Sequence, residues 1–281
     1  LGPIIPPSIT LIVYGSITGV SVSKLFLGSV IPGVLLALVL VGYALFYGKK
    51  HDLPAHKRKS PKEIACTVKD GIWALLMPVI ILGGIFGGIF SPTESAAVAV
   101  IYALLISFIV YKDMSFKDLG SVLIDSSIST ATILMMVGLS KSSSYVVTVS
   151  GLPEMILSGF ASFTDSPIVI LLLINVLFLI IGMLMEANAA IVMMTPLLLP
   201  LIKAFGIDII QFGIVMSFNM CIGLITPPVG ICMLMGNQLA GSKLSAALKA
   251  VAPMLLMSLI ILMLITYIPA LTTWLPGFLA E

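Results

Sequence analysis

Charge is scarce in this sequence. Asp, Glu, Lys and Arg make up 9% of 281 residues, against roughly 25% in an average soluble domain. The hydrophobic share is 59% and the mean hydropathy is +1.22, so water cannot be the solvent for most of the surface. A net charge of +2 is too small to point to nucleic acid. Cysteine is sparse too: Cys66, Cys221 and Cys232 show neither C-x-x-C spacing nor histidine partners, which argues against a zinc centre or a disulfide framework. The two histidines, His51 and His56, sit in one charged stretch. With no H-E-x-x-H, no G-x-S-x-G and no histidine inside an apolar run, an intramembrane protease or acyl transferase is disfavoured. The chain opens on Leu1-Gly2-Pro3 without an initiator Met and without a basic segment ahead of an apolar one. No signal peptide is read there, and the N-terminus is expected to be truncated.

What is present is apolar length. A membrane helix needs about 20 apolar residues, and the chain offers seven or eight such stretches. The expected fold is an all-α polytopic membrane protein lying in a lipid bilayer. Residues 1–48 read as a broken helix followed by a long one. The loop 49–70 carries Lys49, Lys50, Lys57, Arg58, Lys59, Lys62 and Lys69, and the positive-inside rule places it in the cytoplasm. Inside it, Ser60-Pro61-Lys62-Glu63 has the pattern of a helix start, expected to open an interfacial helix. Membrane helices then fill 71–149. The glycines Gly83, Gly84, Gly87 and Gly88 suit close helix approach in lipid, and Ser91-Pro92-Thr93-Glu94 repeats the capping pattern. An external loop covers 150–166. The run 167–205 is interrupted only at Met185-Glu186-Ala187-Asn188, which is either a tight turn between two full spans or the tip of a re-entrant hairpin. Residues 206–281 hold a second broken helix and a final span.

An internal repeat underlies this order. Gly2 to Pro32 aligns without gaps on Gly223 to Pro253 at an offset of 221 residues. Pro6 falls on Pro227, Pro7 on Pro228 and Pro32 on Pro253, with Gly2 on Gly223 and Gly15 on Gly236. The long helix after the first copy ends at Lys49 and Lys50, whereas that after the second begins beside Lys243 and Lys249. The copies are therefore expected to run in opposite directions, with Lys24 as the one charge against. Inverted repeats with proline-interrupted segments in matching positions point to a secondary transporter's binding site.

Proline has no N–H, so Pro227 and Pro228 cannot bond the carbonyls of Gly223 and Leu224, and by the same logic Pro6 and Pro7 free Gly2 and Pro3. Freed carbonyls in hydrocarbon are costly, and a bound cation would offset that. The expected cation ligands are the backbone around Gly223, Leu224, Ile225, Thr226, Pro227 and Pro228, the oxygens of Thr226 and Asn188, and the segment Gly2, Pro3, Pro6 and Pro7. A new helix N-terminus near Gly230 suits an anion. Substrate contacts are expected from Glu186, Asn188, Gly230 and Ser8. Simpler readings stand beside these: a proline pair can be a plain kink, Glu186 and Asn188 an external turn, and Asn175, Asn219, Asn237 and Gln238 either a polar path or glue between helices.

Four segments, GPIIPPS, GGIFSPTESAAVAVIYAL, GMLMEANAAIVMMTPLLLPL and GLITPPVG, closely resemble, in order and spacing, the large membrane subunit of tripartite ATP-independent periplasmic (TRAP) transporters. The resemblance covers essentially the whole chain as the C-terminal two thirds of that subunit. It implies a sodium-driven importer of organic acids, sialic acid or C4-dicarboxylates, in the bacterial inner membrane, working by an elevator mechanism. It also implies a periplasmic substrate-binding protein and a small four-helix membrane subunit as partners. Two hairpins would pair with two broken helices to form sodium sites. The hairpin with its tip at Glu186 to Ala190 would pair with Gly223 to Gly230, and the hairpin paired with Gly2 to Ser8 would lie upstream of Leu1. The alternative within transport is a single-component sodium/dicarboxylate symporter.

Overall fold

The computed structural model describes residues 1–51, 60–151, 155, 158–159, 166–227, 230–241 and 244–279. Among them there is no strand. The helices are α1 (Ile9–Thr18), α2 (Val22–Lys50), α3 (Pro61–Phe86), α4 (Pro92–Leu105, continued by a π-helical turn over Ile106–Tyr111), α5 (Phe116–Val149) and α6 (Pro167–Leu184). They continue with α7 (Ala187–Ala204), α8 (Ile209–Gly223), α9 (Ile231–Ala240), α10 (Leu244–Tyr267) and α11 (Ala270–Leu279). Seven helices among the described residues are long and apolar enough to cross a membrane. The all-α polytopic reading therefore holds.

Local signals set most helix starts. Ser91 caps α4 reciprocally with Glu94: the Ser91 N–H donates to Glu94 Oε2 at 2.7 Å, and the Glu94 N–H to Ser91 Oγ at 3.3 Å. Ser115 and Asp118 do the same for α5. Pro61, Pro92 and Pro167 occupy first-turn positions, where their missing N–H costs nothing.

Two expectations fail here, the second in part. The polar stretch after Ser60 forms no separate interfacial helix, because nothing between Lys69 and Trp73 breaks the chain and α3 runs unbroken over 26 residues. Of the glycine cluster only Gly84 meets a second helix, with Ser95 Oγ of α4 standing 3.4 Å from where its Cβ would lie, while Gly83 meets nothing. Gly87 and Gly88 form the turn after α3, with Gly88 at φ 67°, and a Cβ on Gly84 would fall 2.6 Å from the Phe90 ring folded back over it. Residues 52–59 of the basic loop and much of the expected external loop lie outside the described residues.

The chain forms two compact units, Leu45–Thr132 and Leu1–Ala44 with Ile133–Glu281. In the first, α4 is tied to α3 by its tyrosines, the Tyr102 hydroxyl donating to the Trp73 carbonyl at 2.7 Å and Tyr111 to Asp70 at 3.1 Å. In the second, α8 is the central rod. It packs against α6, α7, α10, α1 and α11, while α7 also packs against α1. Its sequence is apolar all round, as a helix surrounded by others requires, and Phe212 to Met220 is continuously buried.

The offset of 221 carries α1 onto residues 230–239 and α2 onto 243–271, close to α9 and α10 as observed. The pattern of proline pair, short helix and long helix thus recurs, with Pro32 and Pro253 each inside the long helix. Their packing differs. Leu11 and Tyr14 of α1 are 1% and 0% exposed, whereas on α9 Leu239 is 91% exposed.

Tyr14 fixes α1 to α8. Its hydroxyl donates to the Ile209 carbonyl at 2.8 Å, and its ring lies where residue 213 has no side chain: a Cβ there would sit 2.2 Å from the ring. Gly213→Ala should therefore destabilise the full-length protein by ~2 kcal/mol, as overpacking of a dense core does. A thermal unfolding midpoint in detergent equal to that of the parent protein would contradict this packing.

Candidate functional site

The site is built on the turn between α6 and α7. Met185 is extended (φ −123°, ψ 157°) and ends α6. Glu186 then caps α7, its carboxylate accepting the Ala189 N–H at 2.9 Å. The Asn188 side-chain amide donates to Glu186 Oε1, also at 2.9 Å. Glu186 is thus held by two donors of its own turn, while the Asn188 Oδ1 is buried without a hydrogen-bond partner. A buried acceptor left empty is uncommon and marks a place where something else can bind.

Opposite this turn, α8 stops at Gly223 and α9 starts at Ile231, with Gly230 as its cap at φ 47°. The helix opens where the proline pair stands, as expected; Pro227 is exposed, and Pro228 lies outside the described residues. The carbonyls are not left bare, however. The Thr226 N–H donates to the Gly223 carbonyl at 3.0 Å, and the Cys232 N–H reaches across the gap to the Leu224 carbonyl, also at 3.0 Å. The chain folds back on itself and supplies the donors that proline removed. Each of these carbonyls retains a second lone pair.

The two interrupted ends meet closely. A Cβ on Gly223 would fall 2.4 Å from the carbonyl carbon and oxygen of Gly182, so the C-terminal ends of α6 and α8 touch backbone to backbone. Between them lies a cavity of about 50 Å³ bordered by Gly182, Met183, Glu186, Gly223, Leu224 and Gly230. Its volume suits an ion or one or two waters rather than an organic molecule. Two helix C-termini, those of α6 and α8, and two helix N-caps, Glu186 of α7 and Gly230 of α9, border it, so the helix dipoles oppose one another there and the Glu186 carboxylate is the one full charge at its wall.

The first copy joins the same turn. The Pro6–Pro7 peptide is cis. Ser8, 1% exposed, caps α1, and its hydroxyl donates to the Pro3 carbonyl and pairs with Thr10 at 2.9 Å. A second cavity, about 330 Å³, is walled by Gly2, Pro3, Pro7 and Thr10 on this side and by Glu186, Asn188 and Leu224 on the other. That is within the range of small-molecule sites.

Of the expected substrate contacts, Glu186 and Asn188 border the larger cavity and Gly230 the smaller one, whereas Ser8 borders neither because its hydroxyl is spent as a cap. Of the expected cation ligands, Gly223 and Leu224 border the smaller cavity, and Gly2, Pro3, Pro7, Asn188 and again Leu224 the larger. Ile225, Thr226, Pro227 and Pro6 border neither, Pro228 lies outside the described residues, and the Thr226 hydroxyl donates to the Ile222 carbonyl at 2.7 Å. Sequence reasoning did not single out Thr10, Gly182 or Met183. The glycine at 182, facing Gly223, was the one usable signal.

The buried amides are glue rather than a path. Asn219 donates to Asn175 at 2.6 Å, Asn175 to the Thr266 hydroxyl at 2.9 Å, and Thr266 to the Leu262 carbonyl at 2.7 Å, which locks α8, α6 and α10 together.

Residues 1–271 match the model of the DctM component of tripartite ATP-independent periplasmic transporters. The chain belongs to that family. It is a multi-pass protein of the bacterial inner membrane. A C4-dicarboxylate TRAP transporter large permease of Pseudomonas aeruginosa is 39% identical to it over 279 residues, covering 99% of this chain and 65% of that protein. The isethionate TRAP transporter permease of Oleidesulfovibrio alaskensis is 37% identical, covering 99% and 44%. The sialic acid TRAP transporter permease of Haemophilus influenzae is 35% identical, covering 99% and 45%. The chain thus spans between about two fifths and two thirds of the length of these relatives.

The glycine contact generates a graded prediction. Gly223→Ala must push the α6 backbone away and should cost ~3 kcal/mol. Gly182→Ala, whose Cβ would stand 3.3 Å from Gly223 Cα, should cost clearly less. Unfolding midpoints of the two purified full-length variants check the order, and equal losses would contradict the contact.

Proposed function

We propose that this chain forms most of the transport pathway of a sodium-coupled importer of organic acids, one subunit of a three-part system. The reading rests on one observation: both proline-broken segments and the hairpin tip converge on a cavity of about 330 Å³, beside a second of about 50 Å³ at two helix C-termini. Sodium suits the smaller cavity by size, beside the Glu186 carboxylate. Among the described residues no three His, Cys, Asp or Glu side chains come together, and Glu186 is the one carboxylate at this cavity. The unpartnered Asn188 Oδ1 offers an acceptor at the larger cavity instead.

The larger cavity is where a small organic acid fits. Its Glu186 carboxylate is partly neutralised by the Asn188 amide and the Ala189 N–H. Bound sodium supplies positive charge on the same turn, and this is what couples the two ligands: each lowers the electrostatic cost of the other. Relatives named for C4-dicarboxylate and sialic acid support the substrate class. A periplasmic binding protein that delivers the ligand and a small four-helix membrane subunit that braces the permease complete the assembly. The buried amide chain linking α6, α8 and α10 suits an elevator, in which these helices travel as one body carrying the hairpin.

The test uses full-length permease with its partners in proteoliposomes, following isotope uptake under sodium and under potassium gradients. Replacing Pro227 and Pro228 by Ala should let α8 and α9 fuse and abolish sodium-dependent uptake. Asn188→Leu, of similar volume without the acceptor, should raise the substrate concentration for half-maximal uptake about tenfold, the loss of one hydrogen-bonding group from the larger cavity. Thr226→Val should act more mildly. Uptake that is equal in potassium, or unchanged in the double proline variant, would remove the mechanism.

A further inference from the structure

A third cavity, of about 370 Å³, lies where the start of α6, the end of α7, the start of α8 and the end of α10 meet. It borders neither proline break nor the hairpin tip, and transport as described makes no use of it. Helices α6 and α10 are both of membrane-crossing length. Pro167 begins α6 and Tyr267 ends α10, so the cavity stands at the level where hydrocarbon gives way to headgroups. The Tyr267 hydroxyl donates to the Ile168 carbonyl at 3.3 Å and ties the two helix ends together there.

The polar groups in this cavity are oriented by bonds already made. Gln211 is 3% exposed, and its amide nitrogen donates to the carbonyls of Thr266 at 2.8 Å and Ile265 at 3.3 Å. That fixes the amide so that Oε1 is the atom left to accept. Asp208 caps α8 through Oδ1, which accepts the N–H groups of Ile210 and Gln211 at 2.8 and 2.9 Å, leaving Oδ2 uncommitted. The uncommitted side-chain oxygens are therefore acceptors and carry a negative charge. The walls around them are apolar: Ile168, Leu171 and Ile207. An occupant must bring a positive charge and N–H donors, and must tolerate apolar walls at the membrane surface. Lys203, exposed in the last turn of α7 two residues before Phe205 on the rim, forms no ion pair among the described residues and offers the opposite charge.

We propose that this cavity is a lipid site that selects a zwitterionic phospholipid with a primary-amine headgroup, as in phosphatidylethanolamine. The ammonium donates to Asp208 Oδ2 and Gln211 Oε1, the phosphate lies toward Lys203, and an acyl chain follows the apolar wall. A choline headgroup has the charge but no N–H to satisfy Gln211, and a glycerol headgroup has no positive charge.

The test is native mass spectrometry of the delipidated full-length permease in detergent, titrated with dioleoyl phosphatidylethanolamine, phosphatidylcholine or phosphatidylglycerol. The ethanolamine lipid should bind at one saturable site about tenfold more tightly than either of the others. Asp208→Asn keeps an equally good helix cap while removing the charge, and should abolish most of that preference by weakening the ethanolamine lipid about tenfold. Asp208→Ser, another good cap, should do the same. Lys203→Gln should weaken the ethanolamine lipid and leave the unfolding midpoint without added lipid unchanged. Equal binding of the ethanolamine and choline lipids, or undiminished ethanolamine binding in both Asp208 variants, would overturn the proposal, whatever the outcome of the uptake assays.

Discussion

Hydrocarbon offers no hydrogen bonds, so a span that stops being helical inside the membrane must find partners for its main chain within the protein. The rest of this structure follows from how that demand is met. Proline removes the donors between α8 and α9, and the chain replaces them by folding back: Cys232 reaches the Leu224 carbonyl and Thr226 the Gly223 carbonyl. On the first copy Ser8 closes the gap in another way, turning its hydroxyl onto Pro3. Two carbonyls at the second break and one at the first are thus satisfied within the chain, while the Asn188 side-chain oxygen beside them is not.

That distinction matters for chemistry. A site whose main chain is already satisfied can release a cation without the helix closing or the loop collapsing. A transporter needs this, since it must empty as readily as it fills. The elements that border the smaller cavity are held in place by packing. The glycine pair at 182 and 223 lets the ends of α6 and α8 approach to backbone contact.

The rigidity comes from buried amides further along the same helices. Asn219, Asn175 and Thr266 form a buried chain across three helices, and Gln211 extends the linkage to the carbonyls at the end of α10. Such bonds are modest individually in a membrane, but together they fix the rotation and register of α6 relative to α8. Tyr14 performs the equivalent task for α1 by filling the space beside Gly213. The hairpin turn is thereby held between two breaks that are 221 residues apart in sequence.

Period, length and proline spacing were enough to determine the all-α membrane class, most helix boundaries, the repeat and the position of the hairpin turn. These properties depend on local backbone chemistry, and Ser91 with Glu94 or Asp208 before α8 acts the same way in any surroundings. Other features were decided only when distant segments met. The donors for Gly223 and Leu224, the burial of the Asn188 oxygen, the loss of Ser8 to a cap and the role of Thr10 all depend on partners that no local pattern names. The polar start of α3 and the glycines at its end misled for the same reason: composition tells which contacts a segment tolerates, and packing chooses among them.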